Sequence, residues 1–147
     1  MVKFVECDPP ATDADVDELE RKLGFRVPSG IRRLLTTANG GRPEPFVFGG
    51  LHGTDVSECL ALRDGRGSIR RIYELVVLTN KAAPAHFLPF AVDSGGNFYL
   101  VDCSSEEATV HYLHHDPEHT LHPLGVGLEE FWDRLADVPE HVRRRST

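Results

Sequence analysis

A chain of 147 residues with 40 % hydrophobic and 27 % charged side chains has the size of one domain and can bury a core without a metal or disulfide staple. Its 16 Lys and Arg against 23 Asp and Glu give a net charge of −7, which repels a phosphate backbone and attracts a basic protein surface. No apolar run approaches the ~20 residues of a membrane span, and Cys7, Cys59 and Cys103 lack the spacing of a zinc site or a disulfide framework.

Glu6 and Asp8 place acids where a secretory signal would continue apolar, so a cytoplasmic protein is expected. Thr12 with Asp15 predicts a capped helix start. Val16, Leu19 and Leu23 follow as an apolar stripe, with Asp17/Arg21 and Glu18/Lys22 one turn apart as exposed pairs. Gly24 ends this helix. Pro28 suits the opening turn of a second, striped by Ile31, Leu34, Leu35 and Ala38 and closed by Asn39-Gly40-Gly41. So short a connection predicts a packed helical hairpin.

Extended segments are expected around Phe46 to Phe48 and Cys59 to Leu62, separated by a polar loop through Gly49 to Val56. Gly65-Arg66-Gly67-Ser68 precedes the next apolar run but lacks the Gly-Lys-Ser/Thr of a P-loop, so it reads as a loop entering a helix. Ile69 to Leu78 fits two readings: Ile69, Ile72, Tyr73 and Val76 share a helical face, while Val76-Val77-Leu78 also suits an extended segment; a helix ending near Thr79-Asn80 is favoured.

Leu88 to Asp102 is the most informative stretch. Two apolar runs flank Asp93-Ser94-Gly95-Gly96-Asn97, a hairpin turn in which glycines allow positive φ and the Asp and Asn side chains cap amides. A third strand, Thr109 to Leu113, puts Val110 and Tyr112 on one face. A polar loop containing His and Pro follows. Leu128, Phe131, Trp132 and Leu135 then stripe a closing helix, with Glu129 and Glu130 in its first turn and Pro139 beyond its end. Strands joined by short turns favour an antiparallel sheet, so the fold class is α+β, with an N-terminal helix hairpin, a central Gly-Gly hairpin and a C-terminal helix packed on the sheet. A single domain over 1–147 is expected, its core at about 12–138 and a basic tail at 139–147 that carries Arg143, Arg144 and Arg145. Without that tail the charge is −9, from 13 basic and 22 acidic residues. The cysteines read as buried reduced thiols.

Catalytic patterns are thin. Asp93-Ser94-Gly95-Gly96 resembles the surroundings of a trypsin-like nucleophile over four residues only. Val92 stands where that family has glycine, and Gly-x-Ser-x-Gly occurs nowhere. His111, His114, His115, His119 and His122, with Asp116 and Glu118 among them, are suitable metal ligands by type. On a strand, however, His111 and His115 lie about 13 Å apart, and a solvated strand end accounts for them more simply. Asp93, Asn97 and Asp102 lack the spacing of a calcium loop. No catalytic, cofactor-binding or metal residue is assigned.

Acidic residues crowd the first helix at Asp13, Asp15, Asp17 and Glu18, a hairpin tip at Glu106 and Glu107, and a loop at Asp116 and Glu118. Together they are candidate contacts for a basic partner.

In order along the chain, Val16 to Gly24, Val27-Pro28, Ala38 to Gly41, Leu88 to Asp102, Thr109 to Asp116 and Leu128 to Leu135 resemble the SUKH superfamily, over about residues 12 to 136. That superfamily includes yeast cell-wall-assembly regulators and many bacterial immunity proteins against polymorphic toxins. Phe25-Arg26-Val27 and the middle, Gly49 to Leu78, depart from its pattern. The resemblance makes Pro28, Asn39, Gly40, Gly41, Asp93, Gly95, Gly96, Asn97 and Trp132 motif residues of the scaffold. It implies an antiparallel α+β fold and a non-enzymatic protein that neutralises a cognate toxin, often a nuclease, by direct occlusion. Alternative roles are a regulatory scaffold module and a metal-dependent enzyme using the His111–His122 cluster.

Overall fold

Residues 2–48, 55–63 and 68–136 are described by a computed structural model. Parts of the Gly49–Val56 loop, Gly65-Arg66-Gly67 and the basic tail lie outside them. The architecture is α+β. Helix α1 (Asp13–Leu23) begins in the expected capping box: Thr12 Oγ1 accepts from Asp15 N at 3.1 Å and Asp15 Oδ2 from Thr12 N at 2.9 Å. It ends at Gly24, left-handed at φ +85°. Helix α2 (Ser29–Ala38) starts one residue after Pro28, whose carbonyl accepts from Ile31 N and Arg32 N.

The main sheet has five antiparallel strands in chain order: β4 (Glu58–Cys59), β5 (Phe87–Val92), β6 (Phe98–Asp102), β7 (Thr109–Leu113) and β8 (Leu121–Gly127). Two small ribbons complete the described strands. Strand β1 (Lys3–Val5) pairs with β2 (Arg42–Glu44), and β3 (Val47–Phe48) with β9 (Leu135–Ala136). Between β4 and β5, α3 (Ile69–Tyr73) runs into a π-helical turn at Glu74–Thr79, so the predicted helix ends where expected but widens in its second half. Helix α4 (Leu128–Asp133) follows β8 and leads into β9.

One hydrophobic cluster joins these elements. Val16 and Leu19 from α1 and Ile31 and Leu35 from α2 meet Leu88, Phe90, Tyr99 and Leu100 of the sheet in it. At its centre Phe131, fully buried, stacks on Phe48 with ring centroids 5.1 Å apart and meets Phe90, Tyr99 and Trp132 at 5.8, 5.2 and 5.2 Å. Trp132 also covers Phe4 of β1 edge-on at 5.1 Å.

Several expectations need correcting. The polar loop after β7 stops at Thr120, because Leu121–Gly127 forms an edge strand that buries Leu124 and Val126; an edge tolerates Pro123 because no inward N–H is needed there. The closing helix ends at Asp133, and Leu135 belongs to β9. The second extended segment forms a strand only at Glu58–Cys59. Arg21 pairs with Glu18 instead of Asp17, since Asp17 turns to Arg32 of α2 at 2.8 Å. Of the cysteines, all reduced, only Cys59 is buried; Cys7 is exposed and Cys103 half-buried. Burial pushes the Cys103 thiol up to about 12 and that of Cys59 higher still, which makes both poor nucleophiles.

Candidate functional site

The turn between β5 and β6 is built around a buried carboxylate. Asp93, 6 % exposed, accepts on Oδ1 from Gly95 N at 2.9 Å and Asn97 N at 2.8 Å. Its Oδ2 accepts from Asn97 Nδ2 at 3.1 Å and from the Tyr112 hydroxyl of β7. Burial, reinforced by that carboxylate, pushes the Tyr112 phenol well above its ordinary value. Gly96, at φ +84°, takes the left-handed position; Gly95 does not, which corrects the expectation that both glycines are there for positive φ. Asn97 reaches outward, its Oδ1 accepting from His115 N at 2.9 Å, and so fixes the β7–β8 loop. Ser94 donates from Oγ to Asp55 Oδ1 at 3.0 Å. That contact ties the turn to the Asp55 segment, as fits a turn residue.

Asn39 does more than close a helix. It is 2 % exposed, its Nδ2 donates to the carbonyls of Pro9 (3.0 Å) and Leu62 (3.2 Å), and its Oδ1 accepts from Leu62 N at 2.7 Å. Gly40 beside it is left-handed at φ +68°, and a Cβ there would meet Ala61 Cβ at 2.9 Å. Gly41 gives Cys7 room, since a Cβ on it would stand 2.8 Å from Sγ.

The histidines do not converge. The His114 and His122 rings meet edge-on at 5.2 Å, His115 and His119 are exposed in the loop, and His111 lies against Phe87 at 4.6 Å. Among the described residues no group of three or more His, Cys, Asp or Glu side chains is placed to hold a metal ion. His111 Nδ1 is buried without a hydrogen-bond partner. Burial holds this imidazole below its ordinary value, against a smaller upward pull from Thr109 and Asp102. Folding therefore favours neutral His111. Its contribution to stability is complete above the unfolded value of about 6.5 and is lost as pH falls through the lower folded value. We expect the urea midpoint to drop on acidification below pH 6.5 and His111→Phe to flatten that part of the profile; an unchanged profile would contradict the assignment.

The acidic candidates fall at two ends of the sheet. At one end, Asp13, Asp17 and Glu20 converge on Arg32 at 3.0, 2.8 and 3.1 Å. Asp15 caps α1, and Glu18 pairs with Arg21 and Lys22. From the β6–β7 turn, Glu106 reaches Ser29, accepting from its N at 2.8 Å and its Oγ at 2.7 Å, and so caps α2, which Pro28 cannot do. The Ser29 hydroxyl and amide hold the Glu106 carboxyl below its usual range. The carbonyl of Glu107 accepts from Leu128 N at 3.3 Å at the start of α4. At the opposite end, in the β7–β8 loop, Asp116 accepts from Thr120 N at 3.2 Å, and Glu118 is exposed.

Sequence reasoning missed a cleft at this second end. Its volume is about 360 Å³, and it lies between β2 and the Asp55–Ser57 segment, with Glu6, Glu44, Asp55 and Ser94 on its walls and the partly exposed Phe46 at its mouth. Within it, Arg42 pairs with Glu6 at 2.9 Å. Glu6 first, then Glu58 and Glu44, hold the guanidinium above its ordinary value. Strands of two or three residues carry no periodicity to reveal such a place; the only hint was the aromatic pair Phe46 and Phe48.

Residues 10–134 match the family described as SMI1 / KNR4 (SUKH-1), which covers all but the last one or two residues of the stretch on which the resemblance rested. A search of curated proteins finds no match.

Proposed function

The chain belongs to the SMI1 / KNR4 family (SUKH-1), and from that premise we propose that it is a non-enzymatic immunity protein, which neutralises a cognate toxin in the bacterial cytoplasm by occluding it. The observation that carries this reading is the family match over residues 10–134, because binding partners without turnover is what the resemblance implies. The acid excess supports a basic partner such as a nuclease domain, whose own surface must attract phosphate, since complementary fields raise association rates. The turn that tempts a hydrolase reading supports it too: the polar atoms of Asp93, Ser94 and Asn97 hold β5, β6 and the Asp55 segment together.

The acidic positions Asp13, Asp15, Asp17, Glu18, Glu106, Glu107, Asp116 and Glu118 are the proposed contacts. Those bonded to Arg32, Arg21 or a helix start would exchange an internal partner for an external one, a small net gain. Among the described residues no helix is long and apolar enough to cross a membrane. Co-expression with the toxin encoded by the neighbouring gene tests the reading. We expect growth to be restored; arrest that persists while both proteins stay soluble would contradict it for that pair. If no toxin gene adjoins this one, the same family match favours a regulatory interaction module.

A further inference from the structure

We propose that the cleft between β2 and the Asp55–Ser57 segment is where the partner protein docks a cationic side chain flanked by an apolar one. This rests on the neutralisation reading for the partner's identity, but its chemistry is argued from the cleft alone. At about 360 Å³ the cleft is large enough to admit one long side chain. Phe46 stands at its mouth 38 % exposed, although its carbonyl is fixed by Val56 N at 2.7 Å. An exposed aromatic on a hydrogen-bonded backbone is the kind of residue that anchors interfaces.

Charge says what should approach it. The cleft already accommodates a cation of the chain's own: Arg42, with Nη1 at 2.9 Å from Glu6 and Nε at 3.4 Å from the Ser57 carbonyl. Glu44 and Glu58 also act on that guanidinium, and Asp55 lines the same wall. Glu6, Glu44 and Asp55 on the walls, with Glu58 just outside them, stand against two cations, Arg42 and the Lys3 that faces Glu44 across the β1–β2 pairing, which leaves the site electronegative after its internal pair has formed. An arriving Arg or Lys extends an arrangement that is already built, while its apolar neighbour covers Phe46. Attraction of this kind fades as salt shortens the screening length.

The test uses the whole chain, ¹⁵N-labelled, titrated at low salt with the blocked peptide acetyl-Leu-Arg-Leu-Arg-amide and with its glutamate counterpart. The arginine peptide should shift the amides of Arg42, Glu44, Phe46 and Val56. Glu6→Gln with Glu44→Gln, and separately Phe46→Ala, should weaken its binding about fivefold, and the glutamate peptide should shift nothing. All of these groups are exposed, so the variants should fold, which their spectra will report. Shifts confined to α1, equal shifts with the glutamate peptide, or binding indifferent to the substitutions would overturn the proposal. Binding that emerges only after removal of residues 139–147 would overturn it in favour of the chain's own arginine tail, and concentration-dependent shifts of the same amides without peptide would do so in favour of a second copy. If the wild-type chain and the Glu6/Glu44 double variant protect equally against the neighbouring toxin, the cleft assignment fails while neutralisation stands. If the wild type does not protect, neutralisation fails and the peptide titration alone decides the cleft.

Discussion

Phe131→Ala should destabilise the protein by about 3–5 kcal/mol, the largest loss expected from any single truncation. The side chain is fully buried, stacked on Phe48 and surrounded by Phe90, Tyr99 and Trp132. These five rings come from β3, β5, β6 and α4, so no single element can shift to fill the cavity without disturbing another. Domains are stable by only about 5–15 kcal/mol, which leaves the variant near its threshold. Urea unfolding of wild type and variant measures the difference, and Phe131→Leu, which keeps most of the volume, should recover more than half of it. A loss under about 1 kcal/mol would mean that Phe131 is not central to the core.

The second large effect is at Asp93. Removing the carboxylate by Asp93→Ala strands the Gly95 and Asn97 amides and leaves the buried Tyr112 hydroxyl without this acceptor. Each such group costs about 1–3 kcal/mol when left unmade, and water entering the turn will satisfy the amides in part. We expect a loss of about 3 kcal/mol. Asp93→Asn keeps one acceptor oxygen and should lose about half as much. Amide exchange separates this from a merely local effect: protection should fall across both the β5–β6 and β6–β7 pairings, because Tyr112 connects the turn to the third strand. Faster exchange confined to residues 93–97 would contradict the role given to Tyr112.

What could be read from the sequence was local. Thr12 and Asp15 mark a helix start three residues apart, Gly24 marks its end, and the Asp93–Asn97 turn joins strands that pair at once. What could not be read depends on contacts between distant positions. Strands β1 and β2 pair Lys3 with Glu44, and β3 and β9 pair Phe48 with Leu135; each strand is too short to show an alternation. Strand β8 was hidden by Pro123 and Gly125, which read as loop residues until the strand is known to be an edge. Arg32 illustrates the same point among charges. Counting along α1 pairs Asp17 with Arg21, but a guanidinium from the next helix, able to take three carboxylates, draws Asp17 away. The acidic candidates were legible as residues and not as a surface, because their division between two ends of the sheet is set by the strand order. The cleft beside Phe46 escaped for both reasons, being walled by the short strand β2 and by the Asp55–Ser57 segment, which lies beyond a loop.

The central claim is that one molecule of this chain occludes one molecule of toxin and does nothing further to it. The direct measurement is a titration of the neighbouring toxin's activity with the purified chain at toxin concentrations well above the dissociation constant. Activity should fall linearly and reach zero at one equivalent, with the toxin recovered unmodified when the complex is taken apart. Complete inactivation by a small fraction of an equivalent would reveal turnover, and full activity at several equivalents would show that the toxin is not occluded; either result would contradict the account.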